Sequence, residues 1–258
     1  MAEAALLEPD EPAPVTVENE AGGSVFFLTG DHAGRAIPRR LGSLGLPQHE
    51  LARHIAWDIG IGAVGRQLSR MLDATLILQT YSRLVIDCNR DPAAPSSIPE
   101  ISETTEIPGN RGLGEPERAA RIDAVFQPYH DRVAAALDRR AAEGRVTVLV
   151  ALHSFTPVFK GVTRPWHAAV LYNRDARLAH PLFELLSAEA GLVIGDNVPY
   201  RVTDLTDYTV PVHGERRGLP HVEIEIRQDL ITESAGQTEW AERLARALPA
   251  AYAEFQRR

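Results

Sequence analysis

The chain reads as an α/β protein, a three-layer α/β/α sandwich built on a mixed, mainly parallel sheet. Short β-branched runs alternate with long amphipathic stretches, the pattern of strands interleaved with helices. Some of the short runs are apolar at nearly every position, as in VTVLVAL over residues 146–152. A strand of that kind is buried on both faces, so helices must cover both sides of the sheet.

Taken in order, the strand-like runs are 24–30, 74–80, 84–89, 145–154, 167–173, 192–198 and 221–227. Between them, 50–72, 115–143, 175–190 and 238–257 carry apolar residues at helical spacing, as with Ile122, Val125, Phe126, Tyr129, Val133 and Leu137. Only Tyr81–Arg83 separate the second and third runs, so those two are expected to pair as an antiparallel hairpin and make the sheet mixed. The Pro-, Gly- and Ser-rich stretch 93–114 is too long for a plain connection, and it follows a polar strand end. It is read as a loop over a site. Pro128 is expected to kink the second long helix.

With 258 residues, 44% hydrophobic and 24% charged, the composition suits a globular core. No linker interrupts the middle, so the expectation is a flexible acidic segment over 1–20 and a single domain over 21–258. A net charge of −8 disfavours nucleic acid or an anionic membrane as the main partner. The single cysteine, Cys88, leaves no disulfide framework and no cysteine-rich metal site. No apolar run reaches the roughly 20 residues of a membrane span. The acidic, Pro-rich start lacks a basic region and an apolar core, and a cytoplasmic protein is expected. Neither GxGxxG nor GxxxxGK[ST] follows any strand, which weakens nucleotide readings.

Ligands of open α/β sheets bind at the carboxyl ends of strands, so the reactive strand ends are informative. The first ends in Asp31-His32-Ala33-Gly34, where His32 is either a turn histidine or a metal ligand. VTVLVAL ends in His153-Ser154, where a histidine following a run of seven residues, all apolar but Thr147, needs a partner: a carbonyl or a metal. Two such histidines at two strand ends favour a metal. Asp58 in HIAWDIG is either a helix N-cap or the third ligand of an open tetrahedral site. LVIDCNRDP offers Asn89 and Arg90 for an anionic substrate terminus, against an ion pair of Arg90 with Asp87 or Asp91. Arg83 is a second cationic candidate. Glu223 and Glu225 lie two apart in an apolar strand and share a face, so either can act as a base, and one can be a structural partner of Arg227 or Arg83. Ser154 lacks the GxSxG elbow of a serine nucleophile.

Together GDHAGRAIP, HIAWDIG, YSRLVIDCNRDP, QPYH, LHSFTP and VEIEIRQDLI, spanning about Gly30 to Ile231, resemble the N-formylglutamate amidohydrolase family. The resemblance implies a phosphorylase/hydrolase-like fold shared with zinc-dependent exopeptidases and aspartoacylase-like deacylases. It implies His32 and His153 as ligands of one catalytic divalent metal, zinc first, with cobalt or manganese as alternatives. Asp87, Asn89 and Arg90 are implied in carboxylate binding, and Glu225 as the general base, because its Glu-Ile-Arg-Gln-Asp context is similar to a carboxypeptidase stretch. Those peptidases carry a glutamate ligand three residues after the first histidine, where this chain has Arg35, and Asp58 is the expected substitute. His130 in QPYH is expected at or behind the substrate pocket. The expected activity is cleavage of N-formyl-L-glutamate, a small anionic substrate, with Glu225 moving the proton and Arg83 stabilising the oxyanion beside the metal. The alternatives are a deacylase or carboxypeptidase-like enzyme on another N-acyl amino acid, or a silent metal-dependent binding protein.

Overall fold

The computed structural model describes residues 5–257. Its strands are β1 (Val15–Glu18), β2 (Phe26–Gly30), β3 (Thr75–Gln79), β4 (Ile101–Ser102), β5 (Thr105–Glu106), β6 (Val148–Phe155), β7 (Val158–Phe159), β8 (Val162–Thr163), β9 (Ala168–Leu171), β10 (Ile194–Asp196) and β11 (His221–Arg227). Its helices are α1 (Gln48–Leu51), α2 (Ile61–Leu72), α3 (Glu115–Arg121), α4 (Gln127–Ala142), α5 (Ala179–Ser187) and α6 (Ser234–Phe255).

Seven strands form one sheet in the order β1-β3-β2-β6-β11-β9-β10. The neighbours β3, β2, β6 and β11 run parallel, as do β9 and β10. Antiparallel pairing occurs at β1–β3 and at β11–β9. Alternation along each strand sends side chains to opposite faces. Leu28, Val150 and Leu152 thus join Val64, Leu68, Leu182, Trp240 and Leu244 beneath α2, α5 and α6. Phe27, Ile77 and Leu149 pack instead against Val125, Tyr129 and Val133 of the α3–α4 layer. This is the expected mixed, mainly parallel three-layer sandwich. No helix among the described residues is long and apolar enough to cross a membrane.

Four expectations change. Residues 84–89 are not a strand: they form a buried turn in which Val85 N–H donates to Ser82 O and Asp87 N–H to Ser97 O. Leu84, Val85, Ile86 and Cys88 are nonetheless fully buried, because apolarity reports burial and not conformation. Hence no hairpin joins 74–80 to 84–89, and the sheet is mixed for another reason. The segment expected to be flexible supplies edge strand β1, whose Val15 and Val17 register with Gln79 and Ile77; residues 1–4 lie outside the described residues. The long helix expected over 50–72 is α1 and α2 separated by an irregular turn at 52–60. The helix over 115–143 contains a π-turn at Ile122–Phe126, just before Pro128, which has no N–H to continue the α ladder.

Candidate active site

The loop 93–114 is ordered from below. Arg121, 1% exposed, donates to Val85 O, Gly109 O and Asn110 Oδ1, while Ile98 and Ile107 are buried. Its β4–β5 tip places Ser102 and Glu103 on a cavity of about 330 Å³ at the carboxyl ends of the parallel strands. His32, Asp58, Arg83, His153, Glu223 and Glu225 line the same cavity.

His32 follows β2 in a turn that needs Gly34, where a Cβ would lie 2.0 Å from Thr80 O. Asp58 sits before α2, held by its N–H donating to His32 O at 2.8 Å. It is not an N-cap. Gly60 fills that position at φ +83, with a would-be Cβ only 2.2 Å from Ile231 O. The Asp58 carboxylate is thereby freed to face His153 Nδ1 at 3.0 Å, Ser154 N–H at 3.2 Å and His32 Nδ1 at 3.5 Å. Ligand atoms of His32, Asp58 and His153 lie within 4.8 Å of one another, and each residue is 2% exposed.

Behind each imidazole stands another carboxylate. Asp87 Oδ1 is 2.6 Å from His32 Nε2, and Asp31 Oδ2 is 3.4 Å from His153 Nε2. Asp31 is itself fixed by the Tyr129 hydroxyl at 2.6 Å and the Thr209 hydroxyl at 2.9 Å. An imidazole that gives one nitrogen to a carboxylate presents the other, correctly oriented, to a metal. The residues fit a divalent ion on two further counts. His32 Nδ1 is buried without a hydrogen-bond partner. Burial alone would push Asp31, Asp58 and Asp87 up, yet the neighbouring histidines and, for Asp87, Arg83 hold all three below the usual carboxylate range. Against its burial, the His153 imidazole is raised well above the usual range by Glu223, Asp31 and Asp58, so protons balance the carboxylates here and a divalent ion would take their place.

In β11, Glu225 registers with His153 of the parallel neighbour β6, so the two side chains leave the sheet on one face. Burial, opposed by His153, lifts the Glu225 carboxyl to about 7, the range of a working base. Burial raises Glu223 well above the usual range. One oxygen of each is buried without a hydrogen bond.

The structure brings together His32, Asp58, His153, Glu225, Arg83, Arg90 and Asn89 on one cavity. Arg83 is held charged by Asp87 and Asp58 against the effect of its burial, donating to Asp87 Oδ2 through Nη2 at 2.6 Å and lying 3.5 Å from Asp58 Oδ1. Arg90 makes no ion pair with Asp87 or Asp91; its Nη1 donates to the carbonyls of Asn89 and Thr206. The Asn89 carboxamide is taken up by Asp207, Tyr208 and Thr209, so it buckles the 206–209 segment to the site and its amide is not free. Asp87 faces His32 and Arg83 and not an anionic ligand.

His130 does not line the cavity, so of its two expected places, at the substrate pocket or behind it, it takes the second and does not touch a ligand. It is buried behind the site, its Nε2 donating to Cys88 O at 2.8 Å and its Nδ1 facing His213 Nε2 at 3.0 Å. Sequence reasoning missed Asp31 and Asp87 as partners of the histidines, though Asp31 adjoins His32. It also missed Tyr200 and Arg201, whose segment carries no apolar period.

An open α/β sheet that gathers two carboxylate-backed imidazoles, a third carboxylate and an up-shifted glutamate at its strand ends defines the hydrolase class. A family model for N-formylglutamate amidohydrolase matches residues 24–232, and the chain belongs to that family, a group of amide-bond hydrolases. A crystal structure of the gene product Atu2144 from Agrobacterium tumefaciens is 40% identical, with a TM-score of 0.94 over 97% of this chain and 99% of that one. The N-formylglutamate amidohydrolase of Ralstonia eutropha JMP134 shares the fold at 19% identity, with a TM-score of 0.68 over 96% and 100% of the two chains. No curated protein matches the chain.

Proposed function

We propose that this amidohydrolase is metal-dependent and cleaves N-formyl-L-glutamate to formate and glutamate. The observation that carries the reading is the convergence of His32, Asp58 and His153 on the cavity that Glu225 lines. The ion, zinc first and cobalt or manganese as substitutes, would be held by those three residues, and when bound it supplies a Lewis acid that polarises a carbonyl and acidifies water.

Glu225, with a carboxyl poised at about 7, takes the proton of the attacking water and returns it to the departing nitrogen. Arg83, already anchored by Asp87, turns positive charge toward the oxygen on which negative charge develops. Arg90 has donors beyond the one spent on Asn89 and Thr206, and these hold a substrate carboxylate. A cavity of about 330 Å³ sits at the small end of ligand sites and suits a short acyl group.

The test is formate release from N-formyl-L-glutamate by the chelated protein, with and without Zn²⁺, Co²⁺ or Mn²⁺, beside N-acetyl and dipeptide controls. Metal-dependent release is expected. Release from the N-acetyl substrate alone would move the activity to another acyl group, and metal binding without any turnover would leave a binding protein.

A further inference from the structure

Arg164 is 7% exposed, yet no carboxylate oxygen lies within 4.0 Å of it among the described residues. Other buried arginines are satisfied differently: Arg121 and Arg140 each donate to main-chain carbonyls. The Arg164 guanidinium instead lies between the rings of Phe159, at 4.6 Å, and Tyr200, at 4.7 Å, with Phe155 at 5.9 Å. Stacking on aromatic faces recovers only part of what a buried positive charge loses with its water. The side chain is therefore an uncompensated cation directly behind a wall of the active-site cavity, since Phe155, Phe159 and Tyr200 all line that cavity.

The single hydrogen bond it makes has a direction. Guanidinium groups only donate, so Arg164 Nη1 donates to Tyr200 Oη at 2.8 Å, and the phenol proton must point elsewhere. No other group bonds to that hydroxyl among the described residues, and it belongs to a cavity-lining side chain. A phenol that accepts from a cation is a strengthened donor toward an anion.

Charge in the cavity indicates which anion. Asp58, Glu103 and Asp207 line it, so each carboxylate of a ligand needs a positive group of its own. Arg83 is paired with Asp87 and Asp58 and is assigned above to the reacting oxygen, not to a ligand carboxylate. Among the described residues Arg90 and Arg164 carry no ion pair, which matches two carboxylates, and exposed Arg201 stands at the rim.

We propose that the Tyr200 hydroxyl, positioned by Arg164, binds the second carboxylate of a dicarboxylic amino-acid substrate and so selects acidic over neutral side chains. The proposal rests on the reading of the cavity as one for an N-acyl amino acid. Tyr200 touches the ligand; Arg164 acts through it.

The test is calorimetric binding of L-glutamate and of its neutral near-isostere L-glutamine to the full chain supplied with Zn²⁺. The wild type is expected to prefer glutamate. Tyr200→Phe, which keeps the stacked ring, should cut the preference about 10-fold or more, the usual worth of a hydrogen bond to a charged group, and leave glutamine binding nearly unchanged. Arg164→Met should lose the same ratio, Arg164→Lys should recover part of it, and the double variant should lose no more than either single one, because the pair acts as a unit. Absence of a preference in the wild type, a preference that survives Tyr200→Phe, or a preference that vanishes only in Arg201→Ala overturns the proposal. Turnover is not read, so a protein that releases no formate yet loses this preference on Tyr200→Phe would refute the activity and keep the subsite.

Discussion

Asp87 bridges two groups of opposite role: its Oδ1 meets His32 Nε2 at 2.6 Å, and its Oδ2 accepts from Arg83 Nε and Nη2 at 3.1 and 2.6 Å. One carboxylate thus fixes both the orientation of an imidazole of the proposed metal site and the position of a cavity-facing guanidinium. Asp87→Asn should weaken divalent-ion binding about 10- to 100-fold, the usual effect of removing a carboxylate behind a ligating histidine. Competition against a chromogenic chelator measures it, and an unchanged affinity would remove Asp87 from that role.

Stripping the ion should also destabilise the fold, because an ion held by His32, Asp58 and His153 binds the native state and not the unfolded chain. Saturating Zn²⁺ at about 1,000 times its Kd should restore roughly 4 kcal/mol. Thermal melts with chelator and with added metal would reveal this. Superimposable melts would mean that no ion binds the native state.

Glu225→Gln should lower kcat by about 10²- to 10⁴-fold with little change in KM, as expected for loss of a general base. Glu223→Gln imitates the neutral form that burial already imposes, so its loss should be far smaller. Equal losses in the two variants would mean that they share the proton.

Burial lowers His130 to about 4 and His213 to about 3, with Asp31 and Asp131 facing the former and His130, Asp31, Arg217 and Asp138 the latter. The fold therefore refuses protons that the unfolded chain accepts below its pKa of about 6.5. Their stabilising effect is full above about pH 7 and declines as pH falls, by about 1.4 kcal/mol per unit for each histidine. In urea titrations from pH 7 to pH 5, His213→Gln should lose less stability than the wild type. Parallel curves for the two proteins would contradict the assignment.

Asn89 Oδ1 accepts from the N–H groups of Tyr208 and Thr209, at 2.8 and 3.0 Å. Asn89→Ala leaves both donors without that partner and should destabilise by about 1–3 kcal/mol. The melting temperature should fall by about 2–4 °C per kcal/mol in a chain of this size. Because Thr206 and Asp207 line the cavity, KM should rise as well; a variant with wild-type melting and KM would show that the segment is held from elsewhere.

Much of the architecture was legible in residue order. Apolar runs marked six of the seven sheet strands and, through their continuity, both helical layers. The placement of His32, His153 and Glu225 at apolar strand ends put them on one side of the sheet, because parallel strands aim their carboxyl ends together. Edge strand β1 escaped notice, since a four-residue VTVE in an acidic, Pro-rich segment has no period long enough to read.

Tertiary structure decided the rest. Leu84–Ile86 lie in a buried turn at whose start the Ser82 hydroxyl donates to Ala56 O, a contact 26 residues away in the chain. Asp58 became a site residue and not a cap because Gly60 took the cap position. Asp87 found His32 across 55 residues, and Tyr129 found Asp31 across 98. The Arg164–Tyr200 pair arises from a hairpin and a loop with no common pattern. Burial and strand direction follow from each residue's own solvation and local period, so the sequence by itself determined them. Hydrogen-bond partners depend on which distant segments the folded chain brings within about 3 Å, and only the tertiary structure decided those.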